Sequence, residues 1–331
     1  EKNMGKFDIK VNKEWRAIPK GVSLAIGVST FPVWNTVPGI FASLITGNTV
    51  ICKPHPLAIL PMAIFIAEAQ KAFKECGVDP NILQLAADEP SAPITKELAE
   101  HPAVKLIDYT GGSAFGDYVE SLEDKGKVTF TEKAGVNSVI LDSVTKLEPV
   151  LQNLSFSVSL YSGQMCTAPQ NFFIPKDGIK VGDEQMSYDE VVEKLLESIK
   201  GLVNHPKMGA GTLGAIQNAQ TCDRVDEASK IGGKVLMESS EIKNEEFPKQ
   251  RSRTPMVIEL DSSEKKVFSE ELFGPIILIV KTENTNESIN IVKQLIADKG
   301  AISCSAYTTD SELKERIKEE DQAIKVIMIT G

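Results

Sequence analysis

Residues Gly21 to Pro56 read GVSLAIGVSTFPVWNTVPGIFASLITGNTVICKPHP. Val22 to Val28 is an apolar run of strand length. Trp34 to Thr46 reads as a helix and stops at Gly47-Asn48, a left-handed cap signal. Thr49 to Cys52 resumes as a second strand. Moving outward, Leu57 to Cys76 is helix-like and ends at Gly77. Ile82 to Ala86 and Val104 to Tyr109 are strand-like, Ala92 to Glu100 and Ser113 to Leu122 helix-like, and Lys127 to Thr131 strand-like. This β-α alternation predicts a parallel sheet covered on both faces. In such sheets ligands bind at the carboxyl ends of the strands.

The second half repeats the theme with different contents. Leu147 to Tyr161 and the amphipathic stretch Tyr188 to Leu202 read as helices, the latter with Val191, Val192, Leu195, Ile199 and Leu202 on one face. Arg224 to Lys230 and Asn286 to Ala297 are further helices, with Thr285 as a possible N-cap of the latter. Strands are expected at Asn171 to Ile174, Lys234 to Met237, Met256 to Leu260, Ile276 to Lys281, Ile302 to Tyr307 and Ile324 to Thr330. The polar stretch Glu238 to Arg253 reads as a surface excursion. The expected division is a remnant segment over 1–20, one domain over 21–142 and a second over 143–331.

The chain of 331 residues is long enough for about two domains. Its formal net charge of −10 argues against a nucleic-acid groove or an anionic membrane surface as partner. Five scattered cysteines, odd in number and without a Cys-x-x-Cys pair, argue against a disulfide framework and a zinc ribbon. They suit a reducing cytoplasm. Three histidines, none at metal-ligand spacing, point to no metal site. The apolar stretch Leu57 to Ala69 is too short to span a bilayer and contains Pro61 and Glu68. No signal peptide is visible, and both ends read as abrupt, so the chain is expected to be truncated.

Cys166 stands in Ser162-Gly163-Gln164-Met165-Cys166-Thr167-Ala168-Pro169-Gln170, between a helix end and a strand. A thiol there is a candidate nucleophile; the plainer reading is a small half-buried apolar residue. No histidine lies near it in sequence, so a Cys-His hydrolase has little material. Glu132 follows a strand and precedes Ala134-Gly135. It is either a solvated loop residue or a base that activates water beside a thiol nucleophile. Thr110-Gly111-Gly112-Ser113-Ala114-Phe115-Gly116 joins a strand to a helix, where backbone N–H groups can meet a phosphate or simply turn the chain. Lys53, in Cys52-Lys53-Pro54-His55-Pro56, is either a solvated lysine or a ribose or phosphate contact. Glu271 and Phe273, in Glu270-Glu271-Leu272-Phe273-Gly274-Pro275, either grip a ribose and its ring or belong to a turn closed by Gly-Pro. His101 and His205 precede prolines and read as turn residues, and His55 as a loop residue.

In order, Phe31-Pro32, Lys53-Pro54, Thr110-Gly111, Glu132, Gly163-Gln164-x-Cys166-Thr167 and Glu271-x-Phe273-Gly274-Pro275 resemble the aldehyde dehydrogenase superfamily. The resemblance runs from Gly21 over nearly the whole chain. The runs Ser29 to Asn35, Lys53 to Pro56 and Ser159 to Gln170 are similar to members acting in phenylacetic acid degradation. The resemblance implies an α/β fold of two Rossmann-like three-layer domains with mostly parallel sheets, a cofactor-binding one followed by a catalytic one. It implies a homo-oligomer and NAD or NADP as cofactor. Cys166 would attack an aldehyde, hydride would pass to the nicotinamide, and Glu132 would activate the water that hydrolyses the thioester. Glu271 would hold the nicotinamide ribose with Phe273 beside it, Lys53 the adenine ribose, and Gly111, Gly112, Ser113 and Gly116 the pyrophosphate.

Five features depart from the family pattern, among them the usual serine of the pyrophosphate turn, which falls at Gly112 with Ser113 one step later. Thr30 falls where an oxyanion-binding asparagine is usual, and Asn35 lies five positions on. Pro56 replaces a glutamate common in NAD-preferring members, which leaves NADP open. The loop before Ser91, usually glycine-rich, reads Asp88-Glu89-Pro90, two acids that are unfavourable near a pyrophosphate unless they turn outward. Ala134-Gly135 replaces Gly-Gly. The expected substrate is a small-molecule aldehyde, a semialdehyde of aromatic degradation and possibly CoA-linked. A CoA-acylating dehydrogenase and a non-catalytic nucleotide- or partner-binding homologue are the alternatives.

Overall fold

The computed structural model describes residues 2–3, 8–9, 12–320 and 325–329. The chain divides into two compact units, residues 1–133 and 134–331. The expected boundary at Asp142 cuts through pairings that the structure keeps together. The segment before Asp142 forms an interior strand of the second unit's sheet.

In the first unit, β1 (Lys2–Asn3) and β2 (Asp8–Ile9) form an antiparallel pair. There follow β3 (Val22–Ile26), α1 (Pro32–Ile45), β4 (Thr49–Lys53), α2 (Ile59–Glu75), β5 (Leu83–Leu85), α3 (Thr95–Glu100), β6 (Val104–Thr110), α4 (Ser113–Ser121) and β7 (Val128–Glu132). β5-β4-β3-β6-β7 is a wholly parallel sheet. Alternation along the strands sorts side chains to two faces. Ala25, Val50, Cys52 and Leu83 pack against Ile40 of α1 and Met62 and Ile66 of α2. Leu24, Ile26, Ile107 and Tyr109 pack with Ala99 of α3 and Val119 of α4. The sequence expectation of a doubly covered parallel sheet holds here.

The second unit contains β8 (Ser138–Leu141), β9 (Ser143–Val144), α5 (Leu147–Ser159), β10 (Asn171–Pro175), β11 (Ile179–Val181), β12 (Glu184–Met186), α6 (Tyr188–Val203), α7 (Gly209–Leu213) and α8 (Ala219–Ala228). It continues with β13 (Lys234–Met237), β14 (Met256–Asp261), α9 (Lys265–Phe268), β15 (Ile276–Thr282), α10 (Thr285–Lys299), β16 (Ser303–Tyr307), α11 (Ser311–Glu320) and β17 (Lys325–Ile329). Its main sheet runs β13-β14-β15-β10-β8-β16-β17, parallel except for the edge pair β13–β14. β12-β11-β9 forms a small second sheet. One face buries α5 and α6 and the other α8 and α10.

Several boundaries differ from the sequence reading. α8 begins at Ala219 because the Asn218 side chain accepts from the Gln220 N–H at 3.0 Å. Asn284, not Thr285, caps α10, accepting from Glu287 N–H. α5 stops at Ser159 and gives way to a short left-handed turn over Leu160–Gly163. Of the expected last strand, Lys325–Ile329 is described; Ile324 and Thr330 lie outside the described residues, as do residues 1, 4–7, 10 and 11 of the expected N-terminal remnant.

Candidate active site

In the second unit the sequence-predicted residues gather at the amino edge of the parallel sheet, not the carboxyl edge. Cys166 leads into β10, the Glu271 to Pro275 turn leads into β15, and Asn137 immediately precedes β8. Neighbouring parallel strands start on one edge, so their entry loops meet there. A small cleft lined by Gly135, Asn137, Met165, Glu271 and Phe273 lies among these loops.

The Cys166 loop is entered through backbone that L-residues rarely adopt. Tyr161, Ser162 and Gly163 have φ of 52°, 54° and 65° in succession. Non-glycine residues there cost on the order of 1 kcal/mol or more each and need over-determined surroundings. Those surroundings are present. The Ser162 hydroxyl donates to Leu213 O at 2.9 Å. The buried Gln164 amide donates to Tyr161 O (2.8 Å) and Ala215 O (3.0 Å) and accepts from Gln217 N–H (2.9 Å). A Cβ on Gly163 would sit 2.4 Å from Gly274 O, so only glycine lets the thiol loop lie against the Glu271-x-Phe273-Gly274-Pro275 turn.

Downstream, Asn137 fastens the loop. Its Nδ2 donates to Cys166 O at 2.7 Å and Ala168 O at 3.1 Å, while its Oδ1 accepts from Ile302 N–H and Ser303 N–H. Sequence reasoning passed over this residue; its signal was a lone amide directly ahead of the apolar run Val139 to Leu141. Cys166 is half-buried, whereas Cys52, Cys222 and Cys304 are buried and Cys76 is exposed. Burial pushes the Cys52 thiol up to about 12, against the opposing effect of Lys53, and also raises Cys222. Those thiols are unsuited to attack.

Glu271 is half-buried, and burial raises its carboxyl above the usual range, opposed by the Gly135 N–H and the Arg224 charge. Arg224 of α8, also missed by sequence reasoning, donates to Phe273 O at 2.7 Å. Gln170 binds the same turn from the other side, accepting from Leu272 N–H at 2.6 Å and donating to Glu270 O at 3.0 Å. Phe273 is half-buried beside Glu271.

In the first unit the predicted residues do sit at carboxyl ends of strands. Glu132 closes β7 with an exposed side chain, and its backbone oxygen accepts from Gly111 N–H at 3.0 Å. Gly112 and Ser113 are exposed at the start of α4, which has no side-chain cap and no acid in its first turn. Those free N–H groups suit an anionic group. Gly116, expected on the same surface, is buried instead; a Cβ there would lie 2.5 Å from the Lys133 side chain. Thr30 precedes α1 and is half-buried. Asn35 lies in the first turn of α1, on the side shared with Thr36, Gly39 and Ile40.

Lys53 and Asp88 depart most from expectation. Asp88 turns inward, with its Oδ1 2.6 Å from Lys53 Nζ, and the two side chains are 2% and 3% exposed respectively. The contact is an ion pair and not an aligned hydrogen bond, since Oδ1 accepts none. Lys53 donates instead to Pro54 O at 2.8 Å, and the other Asp88 oxygen accepts from Ile94 N–H. Glu89 alone of the two loop acids is exposed. Burial and the Lys53 charge hold His55 below its ordinary value, against Asp88. Its Nδ1 accepts from Leu57 N–H, the role of a turn residue. Among the described residues no group of histidine, cysteine and acid side chains could hold a metal ion, and no helix is long and apolar enough to cross a membrane.

A family model described as "Aldehyde dehydrogenase family" matches residues 4–328. The solved NAD-dependent aldehyde dehydrogenase from Burkholderia multivorans is 40% identical with a TM-score of 0.90, over 95% of this chain and 57% of that one. Alpha-ketoglutaric semialdehyde dehydrogenase of Bacillus subtilis (strain 168) is 25% identical over 88% of this chain and 57% of its own length. The glyceraldehyde-3-phosphate dehydrogenase GapN of Methanocaldococcus jannaschii, solved with NADP, shares the fold at 19% identity and a TM-score of 0.74, over 94% of this chain and 64% of that one. The chain thus spans less than two thirds of the length of each of these relatives.

Proposed function

The chain belongs to the aldehyde dehydrogenase family, and from that premise we propose that the protein oxidises an aldehyde to its free acid through a thioester on Cys166. The observation that carries the reading is the placement of Cys166. It is a half-buried thiol on a loop fastened by Asn137 and seated, through Gly163, on the Glu271 to Pro275 turn.

Cys166 sulfur attacks the aldehyde carbonyl. The oxyanion is received by the Cys166 N–H and a side-chain donor, Thr30 or Asn35. The nicotinamide cofactor, when bound, supplies the hydride acceptor. Glu132 then takes a proton from water as the water oxygen attacks the thioester, and the Cys166 thiolate leaves. Glu271 would accept from the nicotinamide ribose, with Phe273 beside the ring. Gly111, Gly112 and Ser113 would hold the pyrophosphate, and Lys53 would contact the adenine ribose. Asp88 is neutralised by Lys53 and shut off from solvent, and with Pro56 in place of the glutamate nothing at this end repels a 2′-phosphate, so either NAD or NADP is accommodated. The intact protein is expected to be a homo-oligomer in the cytoplasm. The finer resemblance to the phenylacetic acid degradation protein PaaN points to a semialdehyde of aromatic degradation, free or CoA-linked.

The buried Lys53–Asp88 pair favours one second reading, a non-catalytic homologue with an altered nucleotide site. A panel of aldehydes with NAD or NADP, followed by absorbance of the reduced cofactor, separates the two. Oxidation with either cofactor that is lost in Cys166→Ser supports the proposal; no reduced cofactor with any aldehyde supports the non-catalytic homologue. Turnover that requires CoA would move the reaction to the acylating class.

A further inference from the structure

Among the described residues, β4 is the strand of the first unit's parallel sheet that ends on a cation. Its last residue is Lys53, whereas β3, β5, β6 and β7 end on Ile26, Leu85, Thr110 and Glu132. In nucleotide-binding sheets of this class, the group that meets the ribose stands beyond the first strand and its turn. An acid there accepts from a 2′-hydroxyl, and a cation accommodates a 2′-phosphate. A free lysine at the end of β4 would therefore select the phosphate.

Lys53 is not free. β5 pairs in parallel with β4, Cys52 standing opposite Leu85, and Asp88 lies three residues beyond the end of β5. Its Oδ1 is 2.6 Å from Lys53 Nζ, with both side chains almost wholly out of solvent. That oxygen is buried and accepts no hydrogen bond, so it serves Lys53 by charge alone. Asp88 is also held in place without Lys53. Its other oxygen accepts from Ile94 N–H at 3.0 Å, and Ala92 N–H donates to Glu89 O at 3.0 Å, closing the loop that carries Glu89 outward. The lysine is fixed from its own side. Gly27 N–H donates to Lys53 O at 3.0 Å, and Nζ donates to Pro54 O at 2.8 Å. His55, two residues on, brings no second cation: burial holds it below its ordinary value, and its Nδ1 accepts from Leu57 N–H.

Two opposite charges in contact present a dipole to a third group, not a charge, so a phosphate beyond the pair gains far less than it would from a lone ammonium. We infer, on the role proposed for Lys53, that Asp88 is the specificity-determining residue at the adenine ribose. It silences the Lys53 charge, and the ribose is received without distinction between a 2′-hydroxyl and a 2′-phosphate. Taking away the Asp88 carboxylate turns Lys53 into a reader of the 2′-phosphate.

The test reads affinity, not turnover. The intact protein is titrated by calorimetry with NAD and NADP, and with the shorter probes adenosine 5′-monophosphate and adenosine 2′,5′-bisphosphate. Wild type, Asp88→Asn and the double variant Lys53→Met/Asp88→Asn are compared, with circular dichroism to check folding; the double variant removes both buried charges together and leaves neither uncompensated. Wild type should bind the two members of each pair within about threefold of one another. Asp88→Asn should shift the ratio towards NADP and the bisphosphate by about tenfold or more, the size of one charge-assisted hydrogen bond to phosphate. The double variant should return to the wild-type ratio while binding both members more weakly. An unchanged ratio in folded Asp88→Asn would overturn the inference. So would a wild-type preference for the 2′-phosphate that the double variant abolishes, a result that can be read even where Asp88→Asn does not fold. Binding of none of the four nucleotides to wild type would remove the nucleotide site itself, and the role of Asp88 with it.

Discussion

At the scale of single residues, buried polar groups with one job each set the surroundings of the candidate site. Asn137 uses both ends of its amide, holding Cys166 O and Ala168 O with one and two N–H groups with the other. Lys53 and Asp88 neutralise one another with almost no access to solvent. Removing one partner of such a pair leaves the other charge buried and uncompensated, at a cost of about 3–5 kcal/mol. Asp88→Asn is therefore expected to lower the unfolding free energy by about that amount, read by urea denaturation. A loss near zero would mean that Lys53 finds solvent and that the pair is loose enough to open to a ribose. Cys166, Glu132 and Glu271 were visible in the sequence because their motifs stand in a fixed order. Asp88 was not visible as half of an inward pair. Which way an acid turns depends on partners distant in sequence, here Lys53.

At the scale of elements, the strand and helix order of the first unit was legible because α1 and α2 stop just before Gly47 and Gly77 and α3 just before Pro102, which separates them from the apolar-rich strands that follow. In the second unit the reading lost β8, whose four residues Ser138–Leu141 are short and follow the glutamate motif closely, with only Gly135 and Asn137 to mark the turn between them. With β8 missing, the boundary moved to Asp142. The shift of the thiol loop to the amino edge was also hidden, since the carboxyl-end expectation holds for β7 but not for the loop before β10. The left-handed run Tyr161 to Gly163 carries its own prediction. Gly163→Ala places a Cβ against Gly274 O and must push the thiol loop off the Glu271 turn. It should reduce turnover at least tenfold, about 1.4 kcal/mol in barrier, and slow alkylation of Cys166 relative to the exposed Cys76. Equal alkylation of both thiols and full turnover would show that the two loops move independently.

At the scale of the molecule, the two units present different edges of their sheets. The first offers the carboxyl ends of β4, β6 and β7, with Lys53, Gly111 to Ser113 and Glu132; the second offers the amino ends of β8, β10 and β15, with Asn137, Cys166 and Glu271. The family match over residues 4–328 accounts for both units together. The substrate was the least legible property, because the roles proposed for Cys166, Thr30 and Asn35 reach no further than an aldehyde's carbonyl. The measurement that tests the central claim most directly is the mass of the Cys166 peptide from the intact Glu132→Gln protein, acid-quenched after exposure to NAD and an aldehyde that the wild type oxidises. An acyl adduct on Cys166, accumulating because hydrolysis is slowed, is the predicted result. No adduct, or one on Cys76 and not on Cys166, would contradict the assignment of Cys166 as the nucleophile.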